Sequence, residues 1–332
     1  MKPVLLVTNH VPPDRAGAFA ALAARVPLRL ALFAGPSLHA TAEVRRPQEL
    51  ATASIAEHQA YALAASGDFS FVVAGTAGRR ALPAAFAGAR RSGTPFVFWS
   101  ALWHQPRSAA HLGAAPLMRA IHARAHAIVT YGPHVSAFAR RLGARRVHEA
   151  PQAVDGAFWA APAPAQRRAG FQALFAGRDA PEKGLAVLRA AWPRAALEDA
   201  ALVVAGPPAP MGEGVVSPEH LRNLLGGSDV VVVPSLRTRT FREPWGLICN
   251  EAMHRHVPVI ASSEVGAAAG GLVRHERNGL VTPAGDPRAL AGALGRLHAE
   301  HALRDRLGAA AARDAAPYTQ AAWATGFAQA FR

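Results

Sequence analysis

Short, continuous apolar runs alternate with Ala- and Arg-rich stretches along the whole chain, and this alternation constrains the fold more than any other feature. In the first half the apolar runs are Pro3–Asn9, Leu28–Ala34, Phe69–Gly75, Pro95–Ser100, Ala127–Tyr131 and Val147–Pro151. Runs without polar alternation are typical of strands buried in a parallel sheet that helices cover on both faces. The pattern predicts an α/β fold with doubly wound parallel sheets.

The alternation is interrupted once, at the Pro/Ala-rich segment 159–168, which has no helix or strand periodicity and is interpreted as a linker. It restarts with apolar runs at Phe171–Gly177, Ala201–Ala205, Asp229–Pro234 and Pro258–Ala261. The chain has 332 residues, enough for two domains of ordinary size. We therefore expect two Rossmann-like domains, residues 1–158 and 169–316, that face a ligand-binding cleft, followed by a last helix over 317–332.

Two carboxylates, Glu243 and Glu251, follow the run Asp229–Pro234 with seven residues between them. The carboxyl ends of parallel strands are where α/β folds bind their ligands. The two groups could act as a general acid and base, or each could accept hydrogen bonds from the vicinal hydroxyls of a sugar or a ribose. The backbone amides of Gly246 and Leu247 would begin the next helix and could meet ligand oxygens.

Arg178 and Lys183 lie in the loop that follows the run Phe171–Gly177 and precedes a predicted helix. The N-terminus of a helix favours an anion, and two cations at this place suit a diphosphate. Lys183 is one of only two lysines in the sequence. An ordinary loop with solvated charges is the alternative interpretation.

Several other chemistries lack their sequence motifs. No Gly-x-Gly-x-x-Gly follows the first apolar run and neither lysine lies in a Walker A motif, which argues against a dinucleotide dehydrogenase and a P-loop NTPase. There is no Gly-x-Ser-x-Gly, no Asp-x-Asp, and no Cys/His cluster with metal-ligand spacing, so we expect no serine hydrolase and no bound metal or other cofactor. Cys249 is the only cysteine, which is compatible with a cytoplasmic location.

Six motifs occur in a fixed order: Gly177-Arg178…Glu182-Lys183-Gly184, Val233-Pro-Ser235, Glu243-x7-Glu251, Pro258–Ser262, Asn278–Val281 and Pro283–Asp286. With them, the chain resembles a family-4 retaining glycosyltransferase of the GT-B fold over roughly residues 150–300. Pro151-Gln-Ala-Val-Asp155…Phe158 is similar to that family's Asn-Gly-Val-Asp…Phe element, with Gln-Ala in place of Asn-Gly. The first half resembles the family more weakly.

The resemblance implies roles for the matching positions. Arg178 and Lys183 would bind the diphosphate of a nucleotide-sugar, Glu243 the hydroxyls of the donor sugar, and Glu251 the ribose. The other implied donor-site residues are Gly17, Gly177, Gly246 and Leu247, although the family's usual Gly-Gly is Gly17-Ala18 here. His104 is the candidate near the reacting sugar, with His134 as its rival, and the last helix would cross back to the N-terminal domain.

The implied activity is retaining transfer of a hexose from a nucleotide diphosphate sugar, UDP- or GDP-linked, to a glycan, lipid or small-molecule acceptor, as in carbohydrate biosynthesis. A non-catalytic nucleotide-sugar-binding or scaffold protein on the same fold is the main alternative, and a phosphorylase or epimerase is a third. In the family, the segment that corresponds to 207–217 contains a helix and a strand near the nucleotide base. In this chain the segment is too short for both. The identity of the nucleotide base is therefore the property that the resemblance indicates least.

The formal net charge is +14, and it is uneven: residues 1–160 carry 17 Lys and Arg against 7 Asp and Glu, and the remainder 19 against 15. A basic N-terminal half is either an ordinary solvated surface or one that attracts an acidic acceptor or an anionic membrane face, while nucleic acid lacks a supporting motif. The stretch Arg107–Arg124, with Leu112 and Leu117, either lies on the inner membrane face or forms a half-buried helix packed on the sheet.

Overall fold

The computed structural model describes residues 2–33, 50–207 and 213–332. The chain divides into two compact units, the first formed by Met1–Ala153 with Thr319–Arg332 and the second by Val154–Tyr318. No helix in these described ranges is long and apolar enough to span a lipid bilayer.

The first unit is built on a parallel sheet of seven strands. The strands are β1 (Val4–Thr8), β2 (Leu28–Phe33), β3 (Ala51–Ile55), β4 (Phe71–Gly75), β5 (Phe96–Ser100), β6 (Ala127–Thr130) and β7 (Val147–Glu149), in the order β3-β2-β1-β4-β5-β6-β7. The helices between them are α1 (Pro13–Ala23), α2 (Ala60–Ala65), α3 (Ala81–Ser92), α4 (Ala109–Arg124) and α5 (Pro133–Arg141). The strand order reverses at β1 and β4, the position where such sheets bind ligands.

The second unit has a parallel sheet of five strands in the order β12-β11-β10-β8-β9. These strands are β8 (Phe171–Ala176), β9 (Ala200–Ala205), β10 (Val230–Val233), β11 (Val259–Ser262) and β12 (Gly279–Thr282). Its helices are α6 (Gly156–Ala160), α7 (Leu185–Ala191), α8 (Pro218–Gly226), α9 (Ile248–His254), α10 (Gly266–Ala269), α11 (Pro287–Ala299) and α12 (His301–Ala315). The prediction of two parallel-sheet α/β domains is confirmed.

Helix α13 (Gln320–Ala328) packs on the sheet of the first unit. Its Trp323 and Phe327 are completely buried and join a core cluster with Phe19 of α1 and Leu6 of β1. Leu5, the neighbour of Leu6, joins a separate cluster on the other face of the sheet, because successive side chains of a strand point to opposite faces. The first unit thus takes part of its core from residues that follow the second unit in sequence.

The apolar runs of the sequence do not include the strand β3, Ala51–Ile55. β3 is the edge strand next to β2, and its residues are exposed or half-buried. An edge strand of this kind needs no continuous apolar run, so its sequence, Ala-Thr-Ala-Ser-Ile, carries little strand signal.

The predicted linker, residues 159–168, lies within the second unit, and the chain passes from the first unit to the second after Ala153. Asp155 caps α6 by accepting a hydrogen bond from the Phe158 amide. Arg255 donates to the carbonyl of Ala161 at 2.7 Å, and the amide of Gln166 donates to Asn223 at 3.1 Å. These hydrogen bonds fasten the non-periodic segment to α8 and α9, which its composition did not indicate.

Candidate functional site

The predicted phosphate-binding loop and the first glutamate meet at the carboxyl edge of the second sheet. β8 ends at Ala176 and leads into a loop over 177–184, while the neighbouring β10 ends at Val233 and leads into Pro234 and Ser235. Because parallel strands end at the same edge, these two loops lie side by side.

Lys183 and Glu243 form the central contact of this site. The Lys183 Nζ lies 2.5 Å from Glu243 Oε2, and the Ser235 hydroxyl donates to the same oxygen at 3.1 Å. Glu243 is only 6% exposed, and Ser235 is fully buried. A buried carboxylate is costly unless it is paired and hydrogen-bonded, and here one oxygen has both a cation and a hydroxyl donor.

The backbone holds the two loops at this distance. The amide of Leu236 donates to the carbonyl of Glu182 at 2.8 Å. Gly184 has φ +72°, and a Cβ at this position would overlap the carbonyl oxygen of Pro234. A glycine is therefore required directly after Lys183 for the loop to pack against the end of β10.

Arg178 lies on the same loop as Lys183 and also contacts a carboxylate. Its Nη2 is 3.1 Å from Glu182 Oε1. The start of the loop is fixed to β9, since the amide of Gly177 donates to Ala205 and a Cβ on Gly206 would overlap the Gly177 carbonyl. Both predicted diphosphate-binding cations thus sit on one fixed loop, each paired with a carboxylate with which a ligand anion would compete.

The turn after Glu243 is fixed from two sides. The Trp245 indole donates to Asn250 Oδ1 at 2.7 Å, and the backbone of Glu243 and Trp245 accepts hydrogen bonds from Gly266 and Ala267. Gly246 has φ +91°, a conformation that favours glycine. Leu247 then precedes α9, and Glu251 lies in the first turn of that helix.

Both glutamates act electrostatically on one buried thiol, that of Cys249. Burial raises the pKa of Cys249, and the negative charges of Glu243 and Glu251 raise it further. Cys249 is therefore unsuited to act as a nucleophile, since a thiol reacts as its thiolate. Lys183 acts on the same thiol in the opposite sense, and the role of Glu251 stays a prediction.

The remaining predicted residues, Gly17, His104 and His134, belong to the first unit. Gly17 lies within α1 rather than in a loop, and a Cβ on it would overlap the side-chain amide of Gln320 in α13. The structure thus gives Gly17 a packing role, while its contact with a donor stays a prediction. His104 is buried just after β5, and the neighbouring Trp103 stacks edge-on against His134 at 4.8 Å.

The sequence interpretation assigned no role to two groups that the structure brings forward. Ser235 was part of a quoted motif, but its hydrogen bond to Glu243 depends on a contact between two loops. In the first unit, the Arg15 guanidinium lies 5.4 Å from the Trp99 ring and 5.7 Å from the Tyr131 ring. Such cation–π contacts hold the arginine at the carboxyl edge of β5 and β6.

Among the described residues, no group of three His, Cys, Asp or Glu side chains could hold a metal ion. Part of the shortened segment, residues 208–212, lies outside the described residues. Next to it, Glu213 donates its amide to Val204 at 2.9 Å, and Gly206 donates to Gly214 at 2.6 Å, so this backbone runs along β9. The described site therefore offers cations for an anionic group and carboxylates for hydroxyls.

Known proteins resemble this chain in sequence over the second unit and in fold over nearly its whole length. Residues 170–300 match the profile of the family Glycosyl transferases group 1. A D-inositol 3-phosphate glycosyltransferase of Nocardioides sp. is 40% identical over 103 residues, which are 30% of this chain and 20% of that relative. The match thus spans about a fifth of the relative's length.

Two solved structures cover almost the entire chain. Anabaena HepE in complex with UDP and glucose has a TM-score of 0.76 at 16% identity, with 99% of both chains covered. Sucrose-phosphate synthase of Thermosynechococcus elongatus has a TM-score of 0.75 at 19% identity, with 99% of this chain and 98% of that one covered. The two sheets match GT-B glycosyltransferase structures, and with the family match they support glycosyl transfer.

Proposed function

We propose that this protein is a glycosyltransferase that moves a hexose from a nucleotide diphosphate sugar to an acceptor with retention of the anomeric configuration. The observation that carries the proposal is the Lys183–Glu243 pair, which joins a cation suited to phosphate and a carboxylate suited to sugar hydroxyls at 2.5 Å. The likeness of the fold to HepE in complex with UDP and glucose supports a donor of this class.

In this proposal a bound diphosphate draws Lys183 and Arg178 toward its oxygens, and Glu243, still held by Ser235, accepts hydrogen bonds from the donor sugar. Negative charge grows on the diphosphate as the bond between the anomeric carbon and its oxygen breaks, and the two cations stabilise it. The acceptor oxygen forms the new bond on the same face, and its proton passes to the leaving phosphate. No separate base is needed.

The proposed chemistry uses Arg178 and Lys183 where other transferases use a divalent cation. Glu251, in the first turn of α9, would take the ribose hydroxyls, as the resemblance implies. We expect UDP- or GDP-sugars as donors. Binding of the sugar by one glutamate and of the ribose by the other, with the diphosphate between them, explains the spacing of the two glutamates better than an acid–base pair does.

A donor screen with a turnover measurement tests this function. The protein is mixed with UDP-, GDP-, ADP- and dTDP-hexoses, and its melting temperature is measured, since a ligand that binds only the folded state raises it. The stabilising donor is then incubated with an acceptor panel, and release of the nucleoside diphosphate is followed. Binding together with release that depends on an acceptor supports transfer. Binding without release would favour the scaffold alternative, and release that requires inorganic phosphate would indicate a phosphorylase.

A further inference from the structure

Helix α4 (Ala109–Arg124) has exposed apolar side chains that the packing of the first unit does not explain. Its second half is anchored, since Ile121 and His122 are buried and Met118 packs against the core cluster of β5 and β6. In its first half, by contrast, every residue from 109 to 117 is exposed except the half-buried Ala115. The alternative of an ordinary half-buried helix thus holds for only half of α4.

The exposed half of α4 is apolar. Residues 109–117 read Ala-Ala-His-Leu-Gly-Ala-Ala-Pro-Leu, with no charged side chain. Leu112 is 59% exposed and Leu117 42% exposed, and in the described ranges only two other large hydrophobic side chains, Tyr61 and Val215, are exposed. A helix face that meets water normally carries polar side chains, so this one is suited to a partner that takes apolar side chains.

The stretch of chain that contains α4 is strongly cationic. Residues 69–148, from β4 to the start of β7, contain eleven arginines and no Asp or Glu. All eleven arginines are exposed. On α4 itself, Arg119 follows Leu112 and Arg124 follows Leu117, each by seven residues, which is about two turns and so the same line along the helix. Each exposed leucine therefore has an arginine behind it on the same face.

We propose that α4 docks the first unit on the surface of an anionic lipid bilayer. Leu112 and Leu117 would enter the boundary between headgroups and acyl chains, and Arg119 and Arg124 would meet the lipid phosphates. A second copy of this chain is the poorer partner, because two surfaces with a large excess of arginine repel each other. The surface goes beyond the proposed transfer reaction, and its test needs no donor sugar.

Vesicle flotation tests the docking. The protein is mixed with vesicles of phosphatidylcholine alone, or of phosphatidylcholine with phosphatidylglycerol, at about 0.1 M salt, where charges interact over roughly 10 Å. We expect binding to the anionic vesicles, little binding to the neutral ones, and release at about 1 M salt. Equal binding to both vesicles, or no binding to either, would overturn the proposal.

Two pairs of variants locate the contact. Leu112→Ser with Leu117→Ser is expected to lower the partition coefficient about tenfold, because two apolar side chains no longer leave water. Arg119→Gln with Arg124→Gln should lower it roughly 25-fold, from about fivefold per arginine near an anionic surface. The four side chains are exposed or largely so, and circular dichroism checks that the fold is kept.

Matched controls lie elsewhere on the molecule. Tyr61→Ser with Val215→Ser removes the two other exposed hydrophobic side chains, and Arg288→Gln with Arg313→Gln removes two exposed arginines of the second unit. Both controls should bind as the wild type does. Wild-type binding by the leucine pair, or an equal loss in the controls, would show that α4 is not the contact. If the wild type is a dimer in solution and the Leu112→Ser, Leu117→Ser variant is a monomer, the partner of α4 is a second copy of the chain instead.

Discussion

At the scale of single residues, the proposed function rests on competition for one cation. Lys183 is paired with Glu243 and lies 5.6 Å from the Phe241 ring, so in the proposed donor complex a phosphate would draw it from a carboxylate and an aromatic ring that it already contacts. That arrangement keeps the cation and the carboxylate in place for two different parts of one ligand. The proposal therefore predicts different effects of substitutions on donor binding and on donor turnover, which can be measured separately.

Lys183→Ala should lower the rate of transfer by about two orders of magnitude or more, because a positioned charge at the leaving group is lost. Release of the nucleoside diphosphate under saturating donor measures the rate. Lys2→Ala, which changes the only other lysine, is the matched control and should leave the rate unchanged. A transfer rate within about threefold of wild type for Lys183→Ala would refute the proposed role.

Glu243→Gln should separate the two functions of the pair. The nucleoside diphosphate alone is expected to bind at least as tightly as to the wild type, because Lys183 no longer faces a competing charge, whereas transfer should fall about a hundredfold. Calorimetry and the release assay measure the two quantities. Glu276→Gln, which removes an exposed Glu–Arg pair of the same unit, is the control. Parallel losses of binding and transfer would contradict the competition.

At the scale of secondary-structure elements, contacts between helices and loops decide which small residues are needed. α1 approaches α13 so closely at Gly17 that the amide of Gln320 occupies the place of a Cβ. In the second unit, Asp314 of α12 accepts hydrogen bonds from Arg277 and Asn278, two residues of the segment that leads into β12.

Gly17→Ala should destabilise the first unit because the new methyl group overlaps Gln320, and the cost of overpacking is about 1–3 kcal/mol. Gln320→Ala in the same chain should restore most of that stability. Urea unfolding of the two single variants and the double variant measures the effect. If the restored double variant still binds the donor poorly, Gly17 has the donor contact that the family resemblance implies, in addition to its packing role.

Asp314→Asn should lower the free energy of unfolding at neutral pH, since Arg277 and Asn278 hold the pKa of the Asp314 carboxyl down at about 2. A carboxyl whose pKa is depressed in the folded state adds stability above its unfolded pKa, and that stability is lost as the pH falls through the folded value. The difference between wild type and variant should therefore shrink between about pH 4 and pH 2. Asp305→Asn, an exposed change on the same helix, serves as the control; a constant difference would contradict the assignment.

Sequence patterns predict the strands that have a continuous apolar run and miss β3, which has none. β1 and β10 were found because every residue of each is buried, whereas β3 lacks a continuous apolar run. Lys183 and Glu243 could be picked out from motif order. The contact between Gly17 and Gln320 could not, because it joins residues about 300 positions apart and only the packed helices bring them together.

At the scale of the whole molecule, the first unit depends on a segment that is remote in sequence. Trp323 and Phe327 fill one face of its core, and Trp323 contacts both Phe19 and Trp99 edge-on or tilted. The second unit contains its own sheet and core between residues 154 and 318. The two units should therefore respond differently to loss of the last helix.

Trp323→Ala should destabilise the first unit by about 3–5 kcal/mol, the usual cost of removing a buried aromatic side chain. The second unit should keep its stability, and its binding of the nucleoside diphosphate should persist. Calorimetric melting with and without the nucleotide distinguishes the two units, since the ligand raises only the transition of the unit that binds it. A single transition lowered as a whole would indicate that the units unfold together.

The return of α13 to the first unit also sets an order of events during translation. Residues 1–153 leave the ribosome with one face of their sheet lacking Trp323 and Phe327, and the entire second unit is made before those side chains appear. At roughly 5–20 residues per second, this interval is on the order of ten seconds. Until α13 has been synthesised, one face of the first unit's sheet therefore lacks part of its apolar cover and is accessible to chaperones.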